Sequence, residues 1–141
     1  MKIDQIKAFM PHRAPMLLID EVAVVGEGTV HGQYHVRGDE YFLQGHFPGF
    51  PVVPGVILCE IIAQTAGILV KDKLEEGLLP FFTGMEKVRF RRMVRPGDRI
   101  DIRCRLIRRA GMLMKVAGEG RVADEVCAEG VFLMMLGESG Q

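Results

Sequence analysis

The chain of 141 residues contains no tryptophan, few aromatic residues (7%) and only three cysteines, none of them in a C-x-x-C pair. An odd number of unclustered cysteines argues against a disulfide framework or a zinc site and indicates a reducing compartment. Net charge is also lacking, since 18 basic residues balance 18 acidic ones, so the composition has no nucleic-acid-binding signature. The start of the chain, MKIDQIKAFM, is polar and amphipathic, unlike the apolar core of a signal peptide. We therefore expect a soluble, cytoplasmic protein without a nucleic-acid or membrane partner.

Hydrophobic residues make up 48% of the chain, enough for one domain, residues 1–141, with a substantial core. Asp4 is predicted to cap a first helix, Gly77 to end a second one in the left-handed conformation, and the region 118–121 to separate the last two strands. One long helix among mostly antiparallel strands favours an α+β fold in which a curled sheet wraps around the helix. The predicted ranges are 3–10 and 56–73 for the helices, 16–25, 29–36, 80–90, 98–109, 112–120 and 122–136 for the strands, and 137–141 for a frayed tail.

The predicted long helix is apolar nearly all round. From Val56 to Val70 its only polar side chains are Glu60, Gln64 and Thr65. A helix that is apolar on every side is normally buried, which places the carboxyl group of Glu60 in the interior. Burial without a partner costs stability and favours the protonated form of a carboxyl group. A chemical role for Glu60 would explain a placement that stability alone does not favour.

A rigid loop, residues 45–55, precedes this helix and carries one histidine, His46. Its prolines fix the backbone, and its glycines permit unusual geometry or close approach. Taken singly, His46 and Glu60 are more simply structural, the carboxylate as a response to the helix dipole. Together, a stiffened loop with a histidine beside an interior carboxyl group favours a catalytic site.

The other histidines are weaker candidates. His12 lies in the loop PHRAP between two prolines and is interpreted mainly as a surface or packing residue. His31 and His35 share one face of a predicted strand, but four residues of extended chain separate their rings too widely for a shared ion. We therefore predict no metal site.

Ten basic residues fall between Lys87 and Arg109, with only Asp98 and Asp101 to offset them. Most of them fit the solvent-facing positions of strands. As a group they also form a candidate surface for an anionic partner. The segment lacks the interleaved aromatic residues of a nucleic-acid surface, so an acidic protein or a phosphate-bearing carrier is the better prediction.

Three motifs follow one another along the chain: PHRAPMLLIDEV, GHFPGFPVVPGVILCEIIAQTAG and KVRFRRMVRPGDRI. In this order and spacing they resemble the (3R)-hydroxyacyl-acyl-carrier-protein dehydratases of bacterial fatty-acid synthesis, over nearly the whole chain. The resemblance implies a single hot-dog domain, in which an antiparallel sheet wraps around one long helix. Glu60 matches the branch of the family that only dehydrates, whereas the isomerising branch carries Asp. The chain departs from the family pattern at Ala14, Met93 and Phe81, which bears on acyl-chain length and tunnel gating more than on the chemistry.

Dehydration of a 3-hydroxyacyl thioester needs a base for the α-proton, an acid for the departing hydroxyl group and stabilisation of the thioester oxygen. His46 suits the base because imidazole titrates near neutral pH, and Glu60 suits the acid. The helix N-terminus offers unpaired N–H groups to the oxygen, with Gly55 as the natural donor. The resemblance implies that the Val52 carbonyl orients His46, and Gln64, one turn beyond Glu60, could orient the carboxyl group.

By the same resemblance the site lies at a homodimer interface, with His46 from one subunit and Glu60 from the other, and dimers assemble as a trimer of dimers. Phe47 and Phe81 are expected in the substrate tunnel. No cofactor is expected, because the phosphopantetheine arm belongs to the acyl carrier protein, the predicted partner. Two alternatives stay open: a hot-dog acyl-thioesterase and a non-catalytic acyl-carrier-binding module. Chain length, and supply of general fatty acids or of lipid A, also stay open.

Overall fold

The computed structural model describes residues 1–138, within which the chain forms six strands, three α-helices and two short 3₁₀ helices. No helix in this range is long and apolar enough to cross a bilayer. The α-helices and strands are Ile3–Lys7 (α1), Glu21–Gly26 (β1), Thr29–His35 (β2), Gly55–Ala66 (α2), Lys71–Glu75 (α3), Leu79–Phe90 (β3), Arg99–Ala110 (β4), Leu113–Val122 (β5) and Glu125–Gly137 (β6). The 3₁₀ helices are Tyr41–Leu43 and Gly67–Val70.

The strands form one antiparallel sheet in the order β1-β2-β4-β5-β6-β3. Helix α2 packs against the middle of this sheet, on β2, β4, β5 and β6. The predicted α+β arrangement of a curled antiparallel sheet around a central helix is therefore confirmed. Strands β1 and β3 are the two edges, and β3 follows the helical segment directly in the chain.

Glycines in the sheet allow helix α2 to lie close to it. A Cβ atom at Gly32 of β2 would lie 2.7 Å from Thr65 Cγ2, and one at Gly118 of β5 would overlap Ile62 Cγ2. From Leu58 to Ala66 every residue of α2 except Glu60 is buried. The helix therefore lacks a polar face because the sheet and the segments that cross it cover nearly all of it.

The predicted first strand and both predicted helices need correction. Residues 16–20 are not part of a strand: Leu18 and Ile19 are buried, and the Leu18 N–H donates to the side-chain oxygen of Gln64. Helix α1 ends at residue 7 instead of 10, with Lys2 at its cap position, and Asp4 lies in the first turn. The long helix is interrupted after residue 66 by the 3₁₀ turn that separates α2 from α3.

The ends of the later elements show which glycines form turns. Gly77 has a φ of 92°, as expected for the residue that ends the helical segment. The break predicted at 118–121 is wrong: those residues continue β5, and the turn lies at Ala123 and Asp124, with φ of 49° and 66°. Strand β6 continues to Gly137, which pairs with Leu79, so the predicted frayed tail is wrong at that residue. Glu138 is exposed and lies outside any strand, and the rest of that prediction, at 139–141, lies outside the described residues.

We predict that Gly118→Ala destabilises the protein, because the added methyl group overlaps the buried side chain of Ile62 beneath helix α2. Overpacking of this kind lowers the free energy of unfolding by about 1–3 kcal/mol. Urea denaturation measures the change. The matched control is Ala117→Val, the neighbouring residue of β5 on the opposite, partly exposed face. Equal stability of the two variants would show that the helix does not lie on Gly118.

Candidate active site

The loop before helix α2 holds His46 by backbone and side-chain contacts. The backbone carbonyl oxygen of His46 accepts a hydrogen bond from the Val52 N–H at 2.9 Å. The backbone N–H of His46 donates to the Leu43 carbonyl at 3.2 Å. Gly45 and Gly49 have φ of 80° and 74°, which non-glycine residues rarely adopt. The Gly-rich sequence of this loop is therefore needed for a turn that closes back on His46.

The ring of His46 has one nitrogen bound to the loop. Nδ1 lies 3.0 Å from the carbonyl oxygen of Val52. A carbonyl oxygen can only accept, so Nδ1 carries the proton and Nε2 keeps a lone pair in the neutral ring. The contact with Val52 that the family resemblance implies is present. It fixes the ring through Nδ1 and leaves the lone pair of Nε2 available to accept a proton. The ring of Phe47 stacks on His46 with centroids 4.2 Å apart.

Helix α2 begins immediately after this loop. The N–H groups of Ile57 and Leu58 donate to the Pro54 carbonyl, and the cap position makes no side-chain hydrogen bond. The amides of Gly55 and Val56 donate to no acceptor in residues 1–138 and are open to an external one. A Cβ atom at Gly55 would lie 2.8 Å from the ring of Phe90. Gly55 and Phe90 line an open hollow of about 530 Å³ that Val52 also borders.

Glu60 lies further along α2, held by Gln64. The Gln64 Nε2 donates to Glu60 Oε2 at 2.8 Å and to the Met16 carbonyl at 2.7 Å, while its Oε1 accepts from Leu18 N–H at 2.8 Å. Gln64 is 3% exposed, so these bonds satisfy a buried amide. The side chain of Glu60 is 23% exposed in the single chain, which is less buried than the sequence predicted. The contact between Gln64 and the carboxyl group was anticipated, but not the tie to residues 16–18.

The sequence favoured a surface or packing role for His12, yet the residue lies beside Glu60. Its Nε2 is 3.6 Å from Glu60 Oε2. Both residues line a slot of about 160 Å³ together with Phe81, the residue that the family resemblance assigns to the tunnel. Phe47 does not line this slot and is 55% exposed. The sequence signal for His12 was its place in PHRAP, a segment rigid enough to carry a fixed side chain.

The single chain does not bring His46 and Glu60 together. The histidine within 4.0 Å of the Glu60 carboxyl group in residues 1–138 is His12. Glu60 is five residues beyond Gly55, which on an α-helix is about 140° around the axis and roughly 7.5 Å along it. Accordingly Gly55 and Val52 border the hollow, whereas Glu60 and Gln64 border the slot.

The basic cluster is partly neutralised within the chain. Four of its arginines pair with carboxylates from other segments or from the same strand: Arg91 with Glu129, Arg92 with Glu125, Arg99 with Asp101 and Arg109 with Asp72. A fifth, Arg95, lies 4.2 Å from the ring centroid of Phe50 in the His46 loop. These contacts support the interpretation of many of these arginines as the solvent-facing side of the sheet.

Comparison with known proteins decides the family. A family model described as FabA-like domain matches residues 10–130, which is most of the chain. The chain belongs to the FabA-like family. Its curated FabA-like relatives include a protein of Petrotoga mobilis named 3-hydroxyacyl-[acyl-carrier-protein] dehydratase FabZ, 37% identical over 99% of this chain and 100% of the relative. A protein of Streptococcus pneumoniae with the same name is 40% identical over 96% of this chain and 97% of the relative.

Solved structures agree with this membership at the level of the fold. The chain of the Dehydratase Heterocomplex ApeI:P from Xenorhabdus doucetiae superposes with a TM-score of 0.82, 24% identity, and coverage of 95% of this FabA-like chain and 91% of that chain. A putative thioesterase from Ralstonia eutropha has a TM-score of 0.63 at 22% identity, covering 82% and 83%. These likenesses confirm the hot-dog fold.

We predict that Gln64→Leu destabilises the protein, because it leaves the Leu18 N–H and the Met16 carbonyl without the partner they have now. A buried group left unsatisfied costs about 1–3 kcal/mol in the free energy of unfolding. Chemical denaturation measures it, with Gln44→Leu, an exposed glutamine, as the control. Equal losses in the two variants would contradict the role of Gln64 as a buried tie.

Proposed function

We propose that this protein dehydrates (3R)-hydroxyacyl-acyl-carrier-protein to the trans-2-enoyl product in bacterial type II fatty-acid biosynthesis. The FabZ dehydratases named above align with it from end to end. The main support is that two side chains able to transfer protons are each held in place by a hydrogen bond to the protein. The His46 ring is fixed with Nε2 as its free nitrogen, and the Glu60 carboxyl group is held by Gln64.

Each group has one task in the reaction. His46 Nε2 removes the proton from the α-carbon, and negative charge develops on the thioester oxygen, which the Gly55 N–H stabilises. As the α,β double bond forms, the carboxyl group of Glu60 gives its proton to the β-hydroxyl group, which leaves as water. The enzyme is then left with a protonated His46 and an ionised Glu60. Transfer of one proton from the imidazolium to the carboxylate, directly or through water, restores the starting state.

The active unit is a homodimer in this proposal, with His46 from one subunit and Glu60 from the other. Strand β3 is an edge of the sheet, and an unpaired edge rarely stays exposed. It carries Phe81, Phe82, Met85 and Phe90, all between 40% and 53% exposed. A second copy of the chain would cover this apolar edge. The trimer of dimers is carried over from the family resemblance.

The acyl carrier protein is the proposed partner, and it brings the phosphopantetheine arm with the acyl chain. The protein itself then needs no further cofactor, since side chains and helix amides perform every step above. Arg95, stacked on the His46 loop, is placed to meet an acidic carrier surface. The cytoplasm is the proposed location because all three cysteines are free and buried, which fits a reducing compartment.

The reaction type is tested with a 3-hydroxyacyl thioester as substrate. We expect enoyl absorbance to rise while free thiol stays at the background level. Thiol release without enoyl product would identify a thioesterase instead, and binding of the acyl carrier without either product would identify a non-catalytic module. A series of acyl chains of increasing length in the same assay measures the chain-length preference.

We predict that His46→Ala and Glu60→Gln each lower kcat by about 100-fold or more, because each removes a proton-transfer group. Mixing the two variants under conditions of subunit exchange tests the shared site. A mixed dimer contains one site with both groups intact, so random exchange restores about a quarter of the normal activity if subunits pair symmetrically. Each variant carried alone through the same exchange is the control. A mixture as inactive as its components would contradict a site built from two subunits.

A further inference from the structure

The imidazole of His12 faces the same carboxylate oxygen that Gln64 holds. Glu60 Oε2 accepts a hydrogen bond from Gln64 Nε2 at 2.8 Å and lies 3.6 Å from His12 Nε2. Glu60 Oε1 has no hydrogen-bond partner within residues 1–138. The two oxygens of the carboxyl group are therefore unequal: Oε2 accepts a hydrogen bond from Gln64, whereas Oε1 accepts none from residues 1–138.

The loop that carries His12 is fixed on both sides. The guanidinium group of Arg13 donates to the carbonyl oxygens of Lys7, Met10 and His12 itself, which closes the end of α1 onto this loop. Further along, the Met16 carbonyl is bound by Gln64. A mobile surface histidine would not be held in this way, and the side chain of His12 is only 22% exposed.

The surroundings of His12 decide its protonation. Burial lowers the pKa of His12 below its ordinary value, and the nearby Glu60 opposes this only in part, so the ring is neutral at neutral pH. Its Nδ1 is buried and has no hydrogen-bond partner in the described part of the chain. A buried N–H without an acceptor is costly, which favours the neutral form with hydrogen on Nε2. That nitrogen lies 3.6 Å from Glu60 Oε2.

We propose that His12 is a positioning residue for Glu60, which with Gln64 holds Oε2 against the protein so that Oε1 delivers the proton to the substrate. The inference rests on the dehydratase function proposed above. At 3.6 Å the contact is electrostatic, longer than a hydrogen bond. A neutral N–H donor orients the carboxyl group and still allows a proton on Oε1. A positively charged His12 would instead favour the carboxylate and remove the proton that the reaction needs.

Few other charges act on His12. On α2 it faces Glu60, and the slot residues contributed by β3 and β6, including Phe81, Phe82 and Met134, do not titrate. The neighbouring Arg13 directs its charge to backbone carbonyls. Protonation of His12 is thus coupled mainly to Glu60, and we expect it to lower kcat at acid pH.

The test compares His12→Leu, which removes the N–H, with His12→Gln, which supplies a neutral N–H near the Nε2 position. With 3-hydroxyacyl thioester as substrate, we expect His12→Leu to lower kcat by about 10- to 100-fold, the effect of a misplaced catalytic group. KM should stay within about twofold, since binding is not the interaction removed. His12→Gln should recover most of kcat, and its kcat should fall less steeply with decreasing pH than that of the unmodified enzyme.

The control for losing any histidine is His35→Gln, since His35 is an exposed residue of β2. The denaturant midpoint of each variant shows whether it is folded. A His12→Leu enzyme with unchanged kcat overturns the proposal, as does a folded His12→Gln that is as slow as His12→Leu. If His12→Leu does not fold, the pH profile of His12→Gln decides, and an unchanged steepness overturns the proposal. Failure of the dehydratase function is a separate result, because the unmodified protein would then form no enoyl product.

Discussion

Both the fold and the site depend on the hydrogen bonds of the Gln64 side chain. It is an amide on a buried helix, and a buried amide must have its donors and acceptor paired. Its partners are the backbone of residues 16–18 and the carboxyl group of Glu60. The first set of bonds attaches the start of the chain to α2, and the last one orients a proton-transfer group. Loosening this amide would therefore disturb packing and chemistry together.

The same bonds explain why the chain between α1 and β1 is not a strand. A strand needs its backbone groups for neighbouring strands, but the Leu18 N–H and the Met16 carbonyl are already bound to a side chain. The segment crosses the helix instead of extending the sheet. Because it crosses there, His12 just before it reaches the carboxyl group of Glu60. Because residues 16–18 bind Gln64 instead of a neighbouring strand, His12 lies close enough to Glu60 to contribute to the site.

The periodicity of apolar residues predicted most of the helices and strands, because these elements depend on local sequence. The alternation in β2, the apolar character of α2 and the glycine after α3 were all visible. The failures share a physical cause, namely that a residue's role was set by distant contacts. Gly118 resembles a turn residue, but it is a glycine because α2 leaves no space for a side chain. Ala123 and Asp124 form the turn although neither is a glycine.

The site shows the same division between local and distant information. The contact between His46 and Val52 closes within a loop of a few residues, so its motif anticipated it. The pair formed by Gln64 and Glu60 lies one helical turn apart and was equally accessible. His12 is distant from Glu60 in sequence and is brought to it by tertiary structure alone. Its motif was recognised, but no spacing rule could have connected it to a helix residue.

The polar groups of α2 also show what one chain leaves incomplete. Thr65 bonds back to the Ile61 carbonyl, and Gln64 is fully engaged, which leaves Glu60 as the polar side chain of α2 with an oxygen that accepts no hydrogen bond in residues 1–138. That carboxyl group lies beside Phe81 in a slot next to the exposed apolar edge β3. A second copy packed on this edge would also enclose the slot that Glu60 borders. The contact that buries the apolar edge would then be the contact that completes the surroundings of Glu60.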